Sequence, residues 1–402
     1  MTEIVRPPIR TRMEGRAIDE PHRASSQLEL LFDLTFVVAV ASVTAQLAHR
    51  IADGHGLDGV TPFLQVFFAI WWAWMNFTWF ASSYDTDDVL YRLLTLVQMA
   101  GVLVLAAGVP AAMNKTDYLA ITIGYFVMRI GLVALWVRAG IEDPAGRATA
   151  FRYAIGISTL QVGWVLRLIL QEHGVLPTTS LLPIFLVLVV LELSVPPWAE
   201  RARPTSWHPH HIAERYGLFT IILLGEGVLA ASTGVAGALD AGGVHASFIS
   251  IAIASLVLIF SLWWLYFLEP IGPALARRRD RSYLWGYGHY GIFAALAALA
   301  AGLEVAVEHT GGHVDVPPVA VSYAVAIPVS VFLALVCGVN ALVVGHLVIR
   351  PALSLGSAAL ILVLPLAAVF TGTAIVVAAI ATVCAIIVAF ATVSRPLPGT
   401  SD

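Results

Sequence analysis

The sequence predicts an all-α membrane protein of about twelve transmembrane helices, and three observations carry that expectation. Hydrophobic residues fill 59% of the 402 positions and charged residues only 12%, against the roughly 25% charge of a soluble globular chain. The apolar residues fall in runs of about 20, the length that crosses a hydrocarbon core at about 1.5 Å per residue. The basic residues, finally, sit on one side of those runs.

Gly, Pro and charged punctuation cuts the chain into segments near 28–48, 61–82, 91–112, 117–138, 150–170, 179–197, 212–234, 245–268, 283–307, 318–346, 352–371 and 374–393. The last two are separated only by Thr371-Gly372-Thr373. Cytoplasmic loops retain Lys and Arg, so these residues test the count. With the N-terminus inside, the outside holds only Arg50 and Lys115, while Arg129 and Arg167 fall within segments. Every other basic residue, including the Arg277–Arg281 run, lies inside, and both termini are then cytoplasmic.

The expected organisation is a cytoplasmic tail 1–26, a six-helix half 27–197, a cytoplasmic linker 198–211, a second six-helix half 212–393 and a tail 394–402. The halves rest on an internal likeness. ELLFDLTFVV from Glu29 matches ERYGLFTIIL from Glu214, which aligns Glu29 with Glu214 and Thr35 with Thr220. Trp79-Phe80 and Tyr266-Phe267 close the second segment of each half. Six being even, both halves enter the membrane in the same sense, as parallel repeats.

Composition excludes several classes. A net charge of -4 suggests no nucleic-acid surface. Cys337 and Cys384 both lie in apolar runs, where a thiol packs as a small hydrophobe. The first 26 residues are polar and arginine-rich, without the short apolar core and cleavage site of a signal peptide. No Walker loop, dinucleotide glycine fingerprint or nucleophile elbow occurs, so no cofactor is expected. The expected partners are the lipid bilayer and a small solute or ion.

A charge at the bilayer centre costs at least about 2.5 kcal/mol, so ionisable residues inside segments are the candidates for function. Glu29 and Asp33 are one turn apart and read either as carboxylates complementing a helix start or as proton sites. The seventh segment carries Glu214, Arg215 and, between Gly225 and Gly227, Glu226. Glu226 lies too far along the helix to pair with Arg215, so a partner is expected from another helix, with Arg129 and Arg167 available. Glu192 and Glu269 read as snorkelling or capping groups. His289 suits either a proton relay or an interhelical hydrogen bond. Glu304 and Glu308, followed by His309 and His313, either attract cations or end a solvated helix. His208, His210 and His211 form a weak metal candidate, since Pro209 interrupts the spacing and no HExxH or paired cysteines accompany them.

The leading expectation is a secondary transporter or ion-conducting protein moving a proton or small cation through Asp33, Glu214, Glu226 and His289, with Glu29, Arg129, Arg215 and Glu304 in support. The alternatives are a membrane-embedded enzyme acting on a lipid or lipid-linked substrate, using His208, His210, His211, Asp85, Asp87 and Asp88 for acid-base work, and a stress-related membrane scaffold.

Several stretches resemble the low-temperature-requirement A family of bacterial membrane proteins: LELLFDLTFVVAVA (28–41), HIAERYGLFTIILLGEGVLA (211–230), WWLYF (263–267) and GHYGIFAALAALAAGLE (288–304). The resemblance implies a multipass protein of the bacterial inner membrane. It places Glu29, Asp33, His211, Glu214, Arg215, Gly225, Glu226, His289 and Glu304 on family-typical positions. Family members often carry serine after the Gly-Glu pair, where this chain has Gly227, so no role for that hydroxyl carries over.

Overall fold

The structure is a computed structural model of the 402-residue chain. It describes residues 8–18, 20, 23–240, 246–344 and 349–393, with side chains described except at 233–240 and 246. The tail expected at 394–402, with Arg395, and the first seven residues lie outside the described residues.

The described chain is helical, with no strand. In order the helices are α1 (Gln27–Ala52), α2 (Gly56–Tyr84), α3 (Val89–Lys115), α4 (Leu119–Glu142), α5 (Arg147–Glu172), α6 (Thr178–Glu200), α7 (Pro209–Asp240), α8 (Ala246–Tyr266), α9 (Ile271–Arg277), α10 (Ser282–Thr310), α11 (Pro318–Val344), α12 (Pro351–Val363), α13 (Ala368–Thr371) and α14 (Thr373–Val393). Each expected segment except the eleventh coincides, within the described residues, with one helix. Among the described residues ten stretches are long and apolar enough to cross a membrane: α1, α3 to α6, α8 continued by α9, α10, α11, α12 with α13, and α14. The expected second segment, on α2, where tryptophans, Gln65 and Asn76 lower the mean hydropathy, and the expected seventh, on α7, fall outside the ten.

Local chemistry places the helix ends. Asp88 caps α3 by accepting the Tyr91 N–H at 2.9 Å. The eleventh segment, expected as one helix, breaks into α12, a 3-10 turn at Leu364–Ala367 and α13, because Pro365 has no N–H to donate. Gly372, at φ 80, then separates α13 from α14.

The chain divides into two compact units. The first comprises Met1–Ser42 and Phe68–Arg215, the second Val43–Phe67 and Tyr216–Asp402. In the first unit Phe32, Phe36, Trp71, Trp72, Trp74, Phe77 and Phe80 are buried, with the Phe32 and Phe77 rings 4.0 Å apart. The backbones of α3 and α4 nearly touch, since a Cβ at Gly101 would lie 2.6 Å from the Gly124 carbonyl oxygen. In the second unit the small residues of α10 allow the same approach, and Gly302 abuts the Ala324 carbonyl of α11. Large apolar side chains such as Leu34, Val190, Phe260 and Phe370 are exposed, the pattern of a surface that meets lipid.

The segment preceding α1 is more than a solvated tail. The described residues 8–18, 20 and 23–26 lie against the ends of α2, α3 and α4, with the Arg16 N–H donating to the Ser83 carbonyl at 3.0 Å and Met13 fully buried.

Candidate functional site

The caps of α1 and α7 bring ionisable groups together in the first unit. Ser26 and Glu29 form a capping box: the Ser26 N–H donates to Glu29 Oε2 at 2.7 Å and the Glu29 N–H to Ser26 Oγ at 3.3 Å. One carboxylate oxygen is thus fixed to backbone, and Oε1 is left for side chains. Helix α7 opens with Pro209 at its first position. His208 precedes it, and its Nδ1 accepts the His211 N–H at 3.3 Å while its own N–H donates to Ser82 Oγ at 3.0 Å. His211 and Arg215, four apart, then share one face of α7.

These groups meet away from bulk solvent. Glu29 Oε1 lies 2.9 Å from Arg215 Nη1 and 3.0 Å from His211 Nε2. Asp33, one turn further along α1, receives Arg215 as a fork, Nε to Oδ2 at 3.0 Å and Nη2 to Oδ1 at 2.6 Å. The Trp74 indole N–H adds a third bond to Asp33 at 2.7 Å. Glu29, His211 and Arg215 are 0% exposed and Asp33 2%. Two carboxylates therefore share one guanidinium away from bulk solvent, and the His211 imidazole is the other group in contact with Glu29 that can carry positive charge.

The strap before α1 flanks this cluster. Arg16 Nη1 lies 3.3 Å and Arg23 Nη2 3.8 Å from Asp85 Oδ2, and Arg23 Nη2 also donates to the Ala81 carbonyl at 2.8 Å. Arg16 is further paired with Glu20. Burial, helped by the negative charge of Glu29, pushes Asp85 up to about 6 against the pull of Arg23 and Arg16. Burial and then neighbouring His210 hold His208 below the usual imidazole value, in keeping with its Nδ1 accepting a backbone hydrogen bond.

A second latch holds the strap from its other end. Asp88 receives Arg138 through Nη1 at 2.9 Å and Nη2 at 2.5 Å, and the Thr11 N–H at 2.9 Å. Burial opposes the charge of Asp88, but Arg138 and the N–H groups of Thr11 and Tyr91 outweigh it and hold the carboxyl at about 2. Glu142 takes Arg138 Nε at 3.2 Å and the Met13 N–H at 2.7 Å.

The other sequence candidates fall elsewhere. Glu214 is exposed and accepts the Ser25 N–H at 3.3 Å. Glu226, in the second unit, is 9% exposed, and the charged group set against it is Glu304 rather than an arginine. The partner expected for Glu226 is thus corrected: Arg129 bonds Glu192 Oε2 at 3.0 Å and the Tyr125 hydroxyl at 2.9 Å, and Arg167 reaches the Leu181 carbonyl at 3.5 Å. The snorkelling reading of Glu192 is corrected with it, since Glu192 is 1% exposed and also accepts the Trp72 and Trp164 indole N–H groups at 2.8 and 3.1 Å. His289 is buried, with Nδ1–H donating to the Trp285 carbonyl at 2.7 Å and Nε2 meeting the Tyr266 hydroxyl at 3.1 Å. His208, His210 and His211 do not converge: His210 is exposed, and His211 turns to Glu29. Among the described residues no three His, Cys, Asp or Glu side chains are arranged to hold a metal. Asp87 is exposed and forked to Arg92 at 2.7 and 2.9 Å.

Sequence reasoning passed over Arg23, Tyr91 and Arg138, and singled out Glu192, an acid inside an apolar run, without its pairing. Tyr91 and Arg138 stand at segment ends, where such residues are ordinary.

Fold and site together define a multipass membrane protein with a buried ionic cluster between the first turns of two helices. Residues 24–390 match the family described as bacterial low temperature requirement A protein (LtrA), and the chain belongs to that family. It is 28% identical over 299 residues to the Rhizobium meliloti (strain 1021) protein RA0937, covering 70% of this chain and 69% of that one. No solved structure matches it.

Proposed function

We propose that this protein is a secondary transporter or ion-conducting protein of the bacterial inner membrane, with both termini cytoplasmic, that moves a proton or small cation. The observation that carries the reading is the composition of the buried cluster. Glu29 and Asp33 share the single charge of Arg215, so one further proton, held by His211 or Glu29, is needed for neutrality. A group of buried charges that becomes neutral on gaining one proton is a natural coupling site, because each protonation state favours a different arrangement of its helices. Glu226, set against Glu304 inside the second unit, supplies a second intramembrane carboxylate for the same ion.

Purified protein reconstituted in liposomes tests this. The expected result is a flux that depends on a pH gradient, a membrane potential or a counter-ion, and that slows in Glu226→Gln. Wild-type liposomes without any such flux, and a Glu226→Gln protein indistinguishable from them in every assay, would remove the transport reading.

A further inference from the structure

Among the buried polar atoms around the cluster that make no hydrogen bond are the Tyr91 hydroxyl, Arg23 Nε and Nη1, and both ring nitrogens of His211, of which Nε2 is in ion-pair contact with Glu29 Oε1 at 3.0 Å while Nδ1 has no contact of that kind. Tyr91 and His211 are 0% exposed and Arg23 7%. The charged groups about the Tyr91 hydroxyl are Asp85, Glu29, Arg215 and Arg23. Those about Arg23 are Arg16, Glu29 and Asp85, with Tyr91 beside them, and those about His211 are Glu29, Arg23 and Arg215. The three side chains therefore share charged neighbours, Glu29, Asp85, Arg23 and Arg215, in the first unit. Buried polar groups are costly unless something bonds them, and here no protein atom does.

The chemistry of the three selects the occupant. Arg23 and Tyr91 offer hydrogens. His211 directs Nε2 toward the Glu29 carboxylate, which only accepts, so its Nδ1 presents a lone pair. The occupant must therefore accept and donate at once. An anion would face the carboxylates of Glu29 and Asp85, and a metal cation would face Arg23 and Arg215. Water is neutral, both donates and accepts, and finds here the several polar partners that a buried water needs.

We propose that bound water fills a chamber bordered by Arg23, Glu29, Asp85, Tyr91 and His211, and that this water relays protons between Asp85 and the Glu29–His211 pair. In the relay the Asp85 O–H breaks as a water gains the proton, and that water gives up another proton to His211 Nδ1. The His211 Nε2–H passes to Glu29, leaving the imidazole in its other tautomer. Three bonds to hydrogen break and three form, and one proton has moved from Asp85 to Glu29. The relay rests on the proton-coupled function proposed above; the hydration of the chamber does not.

Radiolytic footprinting of the wild-type protein in liposomes tests the hydration, because hydroxyl radicals formed from bound water oxidise side chains next to it. Tyr216 is the dry control, equally buried but enclosed by the rings of Trp285, His289 and Phe293. Oxidation of Tyr91 several-fold faster than Tyr216 is expected. Equal rates overturn the chamber, whether or not the protein carries flux. Tyr91→Phe tests the relay: proton flux should fall several-fold at an unchanged thermal midpoint, and unchanged flux overturns the relay. A wet Tyr91 in a protein without proton flux supports the chamber and overturns the relay; the transport reading falls with it only if flux driven by a membrane potential or a counter-ion is absent as well.

Discussion

Arg215 directs three nitrogen atoms at two carboxylates, and the balance of charge around it depends on that geometry. Replacing it with methionine leaves Glu29 and Asp33 buried without a counter-charge. A loss of about 3–5 kcal/mol is expected, the usual cost of breaking a buried pair, read as a large fall in thermal midpoint. Asp33→Asn is expected to cost less, because Glu29 still faces the guanidinium. Asp85 sets a pH dependence whose sign follows from its raised value. It binds its proton more tightly in the folded protein than in the unfolded chain, so this group's contribution to stability increases as pH falls through about 6 toward its ordinary value. Thermal midpoints measured between neutral pH and the lower limit of solubility should show this slope in wild type and lose it in Asp85→Asn. At this scale the sequence was legible where a charge interrupts an apolar run: Glu29, Asp33 and Arg215 announce themselves in that way. Their pairing did not, because Asp33 and Arg215 are 182 positions apart and nothing local specifies that contact.

Individual helices owe their limits to chemistry that is mostly local. The Ser26–Glu29 capping box is a sequence signature, and Ser26→Ala is expected to cost about 1 kcal/mol, measured as a shift in thermal midpoint. The change removes only the acceptor of the Glu29 N–H; the bond from the Ser26 backbone N–H to Glu29 Oε2 survives it, so flux should persist. Helix pairs depend on nonlocal fit. A Cβ at Gly124 would lie 2.5 Å from the Gly101 carbonyl oxygen and from the Leu105 nitrogen, both backbone atoms that cannot turn aside. Gly124→Val should therefore destabilise by about 1–3 kcal/mol or more through overpacking of α3 against α4. The strap 8–26 was the element least legible beforehand. Polar, arginine-rich sequence looks like a solvated tail, and only the Asp88, Arg138 and Glu142 side chains and the Ser83 carbonyl show where it is held. The short break at Pro365 was likewise passed over, because apolar length says little about continuity within a hydrophobic run.

For the whole molecule, arginine placement predicts that both termini are cytoplasmic. Single cysteines added at residue 2 and residue 401 should then both resist a membrane-impermeant thiol reagent in intact cells, and labelling of either would overturn the twelve-span topology. What the sequence determined by itself is the helical membrane architecture, the family and the identity of the charged residues inside the apolar segments. These follow from length, composition and local pattern, because lipid demands internally bonded helices of a fixed reach. Only the tertiary structure decided which of those charges meet. Glu29, Asp33, His211 and Arg215 form one cluster, Arg129 goes to Glu192, and Glu226 faces Glu304. The physical reason is that apolar helices pack by shape and by a few polar contacts that lie far apart in the chain, so partner choice is absent from any local stretch of sequence.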